Sequence, residues 1–183
     1  MPTRPAVTDG DAVERFLTAA SPESFEELFR EVAPPLVSFF RVRGCDLALA
    51  EDLTQEVMLA VYRGHGDLRS KDRFRPWLYR IARNALLRHF RDAHRRIATV
   101  GLAAPGERIP EPSAEPLPLS QFADWMAWLG PEEAQIMSLR YLEGLEHHEI
   151  AEVLGIPLGT VQWKVFQATK KLAAHFGARV DKS

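Results

Sequence analysis

The side chains best suited to binding chemistry lie in residues 74–96, FRPWLYRIARNALLRHFRDAHRR. Arg80, Asn84, Arg88, Arg91 and Arg95 follow at steps of four, four, three and four, which stacks them on one face of an α-helix. Phe74, Leu78, Ile81, Ala85 and Phe90 keep a similar spacing along another side. A guanidinium presents a planar fork of donors that matches phosphate oxygens, and a carboxamide can pair with a base edge. The stripe therefore offers polyanion recognition rather than bond-making. Pro76 falls within the first turn, where its missing N–H is harmless.

Charge along the chain supports that reading. Ten of the 23 Lys and Arg residues fall within residues 69–96, against Asp72 and Asp92. Residues 1–68 carry twelve Asp and Glu against six Lys and Arg, so the overall charge of −2 hides a basic block behind an acidic one. Charge runs are most often solvated faces, but those usually mix signs. A nearly pure cationic run predicts a phosphate-binding surface.

Catalysis and metal binding find no such support. His147-His148, taken with Cys45, His65, His89 or His94, show neither the i, i+4 nor the C-x-x-C spacing of a structural zinc site. Gly64-His65-Gly66 lacks the Gly-Lys-Ser/Thr of a phosphate loop, and no nucleophile–base arrangement emerges. The chain is read as no enzyme, with no cofactor and no metal. Cys45, the single cysteine, rules out an internal disulfide, fits a reducing compartment and reads as a buried, inert thiol. No apolar run reaches about 18 residues, and the N-terminus lacks the apolar centre of a signal peptide. A soluble, cytoplasmic protein without membrane insertion is expected.

The elements that must position the stripe read as helices throughout, for no alternating strand pattern occurs. Residues 1–19 form a tail with a short helix over 9–18, Val13, Phe16 and Leu17 inward. Ser21-Pro22 starts the next helix as N-cap and first residue, and Pro34-Pro35 is expected to interrupt or kink it. Asp46 caps DLALAEDLTQEVMLAVYR, which Gly64 ends. Leu47, Ala50, Leu53, Val57 and Val61 line its buried face, leaving Glu51, Asp52, Gln55, Glu56 and Leu59 turned away. Residues 64–73 form a loop. Residues 98–119 hold five of the thirteen prolines and read as a linker between two small helical domains, 20–97 and 120–178. The second opens with a short aromatic helix containing Phe122, Trp125, Met126, Trp128 and Leu129, followed by PEEAQIMSLRYLEG. The fold class is all-α.

Residues 147–166, HHEIAEVLGIPLGTVQWKVF, fit a helix-turn-helix. Ala151 is small where two helices must meet, Gly155 suits the turn, and Ile150, Leu154, Ile156 and Val161 fill the wedge between them. The second helix, from about Leu158, would enter a major groove.

The acidic EDLTQEVMLAVYR, the basic FRPWLYRIARNALLRHFR, a proline-rich spacer and a terminal helix-turn-helix occur here in one order. That ordered set resembles the extracytoplasmic-function (ECF) sigma factors of bacterial RNA polymerase. The resemblance covers most of the chain, with a region-2-like domain at 20–97 and a region-4-like domain at 120–178. It implies a dissociable polymerase subunit that directs promoter-specific initiation. The implied partners are the polymerase core, through its β′ clamp helices and β flap, promoter DNA, and an anti-sigma factor.

By the same resemblance Asp52, Gln55 and Glu56 meet the core. Arg80, Asn84 and Arg88, with Arg73 and Arg83 beside them, face the −10 element, and loop 64–73 pockets a flipped base. Thr160, Gln162, Trp163, Lys164, Gln167 and Lys170 face the −35 element, with Phe166 among them. Phe74 and Trp77 read as core rather than as stacking platforms, while Tyr79 fits either role. The chain departs from the family pattern where Gln162, Gln167 and Thr169 replace commonly basic residues and Trp163 a small polar one. Either the −35 preference is unusual or part of this helix serves a protein partner. Two other classes compete: a sigma mimic that sequesters an anti-sigma factor, and a stand-alone helix-turn-helix regulator, which would need dimer symmetry.

Overall fold

A computed structural model describes residues 10–68, 70–100 and 128–180. Among them run seven α-helices: α1 (Gly10–Ala19), α2 (Pro22–Arg41), α3 (Leu47–Gly64), α4 (Phe74–Val100), α5 (Pro131–Tyr141), α6 (His147–Leu154) and α7 (Leu158–Val180). No strand occurs among the described residues. The chain divides into two compact units, Met1–Ser113 and Ala114–Ser183, so α1–α4 belong to the first and α5–α7 to the second. The tail at 1–9, linker residues 101–119 and the aromatic helix as far as residue 127 lie outside the described residues.

In the first unit the caps act as their residue types dictate. The Ser21 hydroxyl accepts the Ser24 N–H at 3.2 Å, and the Asp46 carboxylate accepts the Leu49 N–H at 2.8 Å. α2 packs on α1 and α3, and α3 packs on α4. Their shared core holds Phe16, Leu28, Leu36, Phe39, Phe40, Leu53, Val57, Val61, Phe74, Leu78 and Tyr79.

The paired prolines do not end α2, which continues through Pro34 and Pro35 to Arg41. Each removes a backbone hydrogen bond and crowds the carbonyl four residues back, costing roughly 3 kcal/mol or more. Leu28 and Val32 before the pair, and Leu36, Phe39 and Phe40 after it, are all buried. Five such side chains contribute about 1.5–3 kcal/mol each, enough to hold both halves of the helix in register on the same core.

Two further expectations change, and a third holds by another route. Leu47 is 52% exposed, because it sits in the first turn ahead of the stripe that Ala50, Leu53, Thr54, Val57, Met58 and Val61 bury. α4 reaches Val100, three residues into the stretch whose composition reads as linker. α3 does end at Gly64, though not through a left-handed residue: its φ is −100° and a 3₁₀ turn, His65–Asp67, follows directly. A Cβ at Gly64 would lie 3.2 Å from Cζ2 of Trp77, so the indole would have to give by a few tenths of an ångström.

In the second unit α7 packs against both α5 and α6. Ile136, Leu139, Leu145, Ile150, Val153 and Val161 are buried, and Leu129, Met137 and Ala168 form a further cluster. Leu154 and Ile156, expected in the wedge, are half-buried, while Val153 is buried.

Candidate nucleic-acid interface

The orientation of α4 is set before it begins. The Ser70 hydroxyl accepts the Asp72 N–H at 3.3 Å and starts a 3₁₀ turn, Lys71–Arg73, that leads straight into Phe74. Lys71 reaches across to Glu14 of α1 at 2.8 Å, fastening this connection. The contact holds the Glu14 carboxyl below its usual range and raises the Lys71 ammonium. Most of loop 64–73 is therefore turn-structured and tied to its neighbours, with residue 69 outside the description.

Burial then fixes the rotation of the helix. Phe74, Leu78, Tyr79, Ala82, Ala85 and Leu86 are buried. Arg80, Asn84, Arg88, Arg91 and Arg95 are all exposed along the opposite side, the face their spacing predicts. Arg73 is exposed at the end of the 3₁₀ turn. Arg83 is half-buried, and its Nε lacks a hydrogen-bond partner among the described residues.

Tyr79 is fully buried, with its ring centroid 5.4 Å from that of Phe39, so it is a core residue and no stacking platform. Phe74 is core as expected, while Trp77 is half-buried over Gly64. Phe90, expected in the apolar stripe, is exposed, as is Leu87 within the arginine face. Leu86 is the last α4 residue described as buried, so Phe90 lies beyond the core.

On α3, Asp52, Gln55 and Glu56 are exposed together with Glu51 and Leu59. Glu56 bonds to Arg88 of α4, and the two side chains are 50% and 53% exposed. This pair joins the acidic face of one helix to the cationic face of the next. Residues 32 apart carry it, so no spacing in the sequence announces it.

The helix-turn-helix of the second unit is built by local chemistry. Glu146 and Glu149 cap α6, the Glu149 carboxylate accepting the Glu146 N–H at 2.6 Å. Gly155 ends α6 at φ +68°, a left-handed conformation that a side chain resists. α7 starts three residues later, with Val161 and Ala168 buried. Gln162, Trp163, Phe166 and Lys170 are exposed, and Thr160 and Gln167 are half-buried. Lys164 is turned toward α5, where its ammonium meets Glu132 and its side chain is 21% exposed. Lys171 meets Glu133 at 2.7 Å, and that contact holds the Glu133 carboxyl below its usual range.

Cys45 is buried, and burial pushes its thiol up to about 11. Among the described residues no group of three or more His, Cys, Asp or Glu is placed to hold a metal ion. None of the described helices is long and apolar enough to cross a membrane.

In the first unit α4 presents a row of arginines, and in the second α7 is the latter helix of a helix-turn-helix. Known proteins show the same combination. The family profile "Sigma-70 region 2" matches residues 28–96, and "Sigma-70, region 4" matches residues 125–174. The chain is 32% identical to the RNA polymerase sigma factor CarQ of Myxococcus xanthus, over 90% of this chain and 95% of that protein. It is also 32% identical to the ECF RNA polymerase sigma factor BldN of Streptomyces coelicolor, over 93% of this chain and 68% of that one. Among solved structures, CnrH in complex with the cytosolic domain of CnrY is similar with a TM-score of 0.63 and 23% identity. That match covers 93% of this chain and 97% of that one. The sigma factor RpoE of Bartonella quintana, in complex with the anti-sigma factor NepR, is similar with a TM-score of 0.64 and 21% identity. It covers 83% of this chain and 96% of that one.

Proposed function

The chain belongs to the ECF sigma factors of bacterial RNA polymerase, and from that membership we propose how its two units share promoter recognition. A sigma factor directs initiation by the core enzyme, which performs the polymerisation, so the chain itself is no enzyme. The first unit contacts the core through Asp52, Gln55 and Glu56. It grips the −10 element through Arg73, Arg80, Arg83, Asn84 and Arg88. The second unit meets the −35 element through α7, with Thr160, Gln162, Trp163, Gln167 and Lys170 toward DNA. Lys164 serves α5 as much as DNA, given its contact with Glu132.

The observation that carries this assignment is the exposed row Arg80, Asn84, Arg88, Arg91 and Arg95 behind a fully packed core face. Arginines on such a face bind phosphates regardless of sequence, which fixes register, while Asn84 offers a donor and acceptor to one base edge. Separating the strands and turning out a base costs a few kcal/mol, which these contacts must offset.

The work takes place in the bacterial cytoplasm, where the polymerase acts. In the free state the chain is held by an anti-sigma factor, as the RpoE structure illustrates for that protein. Run-off transcription with purified core polymerase over a genomic promoter library tests the assignment. Transcripts that start at discrete sites when the chain is added support it. No chain-dependent transcript from any promoter refutes it.

A further inference from the structure

We propose that Trp163 and Phe166 read the methyl groups of adjacent thymines in the −35 major groove. The inference rests on the reading that α7 faces −35 DNA, and it assigns the chemistry of that contact.

Val161 and Ala168 are buried, so the side of α7 that carries Trp163, Phe166 and Lys170 at steps of three and four must face outward. Trp163 is 58% exposed and Phe166 63% exposed. Isolated exposed rings are ordinary on a protein surface. Here two stand one turn apart on the helix that a helix-turn-helix inserts in the groove. Neither ring has an aromatic partner among the described residues. Trp128, exposed to the same degree, stacks on His175 at 3.7 Å.

The charge of α7 selects the occupant. Its 23 residues contain no Asp or Glu, but they include Lys164, Lys170, Lys171 and Arg179. Lys164 and Lys171 meet Glu132 and Glu133 of α5, but Lys170 is exposed beside the rings, and a helix free of carboxylates suits a polyanion. A docking face for a protein helix would also be expected to carry acceptors for that partner's donors. Gln162 and Lys170 flank the rings with groups that reach base edges and phosphates. The lysine nearest the rings, Lys164, is engaged by Glu132 and so is poorly placed to read guanine.

Across the major-groove edges of the four base pairs, the C5 methyl of thymine is the distinctive apolar group. Residues i and i+3 stand about 4.5 Å apart along a helix axis. Successive bases are spaced by about 3.4 Å. Two rings so placed therefore reach two neighbouring thymines.

The test uses the full chain assembled with core polymerase. Selection from duplexes randomised across the −35 segment gives the preferred element. Its thymines are then replaced by deoxyuridine, which removes the methyl and nothing else. Adjacent thymines should be enriched, and each methyl lost should weaken binding about fourfold, as for one buried apolar carbon. The variant Trp163→Ala/Phe166→Ala should bind thymine and deoxyuridine duplexes equally well. Its thermal unfolding reports whether the fold survives the change. A protected −35 segment whose affinity ignores deoxyuridine overturns methyl reading and leaves the rings to a protein partner. No −35 protection at all overturns the DNA assignment of α7 itself.

Discussion

Replacing Glu56 by glutamine should make the free chain bind single-stranded −10 DNA more tightly while weakening its association with core polymerase. Glu56 holds Arg88 in the free protein. DNA must therefore displace a carboxylate before it can use that guanidinium. Both side chains are about half exposed, so solvent screens the pair and its worth is at most about 1 kcal/mol. That limits the gain to a factor of about five at low salt, fading as the Debye length shrinks. If Glu56 meets core polymerase as proposed, that contact would release Arg88 and couple the two surfaces. Fluorescence anisotropy with a labelled non-template −10 strand measures the effect in wild type, Glu56→Gln, Arg88→Ala and the double variant. Arg88→Ala should reduce the slope of log affinity against log salt by about 0.7. Glu56→Gln should have no effect in the Arg88→Ala background. If the glutamine tightens binding equally with Arg88 absent, the effect is general charge and the coupling is wrong. An unchanged salt slope in Arg88→Ala would show that Arg88 touches no phosphate.

Two further outcomes follow from the fold. At Gly155 nothing lies within 4 Å of an added Cβ, so Gly155→Ala should cost only the left-handed backbone term of about 1–2 kcal/mol; thermal unfolding should rank glycine above asparagine above alanine. The Cys45 thiol is held neutral in the fold, so its contribution to stability is complete below pH 9 and is lost as pH rises toward 11. Thiol labelling at pH 8 should be slow in the native state and fast in denaturant, and Cys45→Ala should lessen the loss of stability between pH 9 and 11.

Much of this architecture was legible because it depends on local periodicity. The arginine row is exposed where its spacing places it, since Phe74, Leu78 and Ala85 leave α4 little choice of rotation. Ser21, Asp46 and Gly155 act as caps because each satisfies or ends a helix within a few residues. What depends on distant packing was not legible. Pro34-Pro35 looks like a break until the burial of Leu36, Phe39 and Phe40 is set against it. Gly64 ends α3 as read, but Trp77 packed close to it could not be foreseen. Phe90 leaves its expected place in the stripe because the core ends before the helix does, and Tyr79, open to either role, is buried against Phe39. The contacts of Glu56 with Arg88 and of Glu132 with Lys164 join residues 32 apart, beyond any sequence pattern.

At the centre of the account is one helix face that holds separated promoter strands. Replacing a −10 base by 2-aminopurine makes its fluorescence report unstacking in a complete holoenzyme–promoter complex. Arg80→Ala/Asn84→Ala/Arg88→Ala should keep core binding and native helicity, for all three residues lie on the exposed side, yet lose most of the fluorescence rise. A triple variant that opens the −10 region as fast and as fully as wild type would contradict the account.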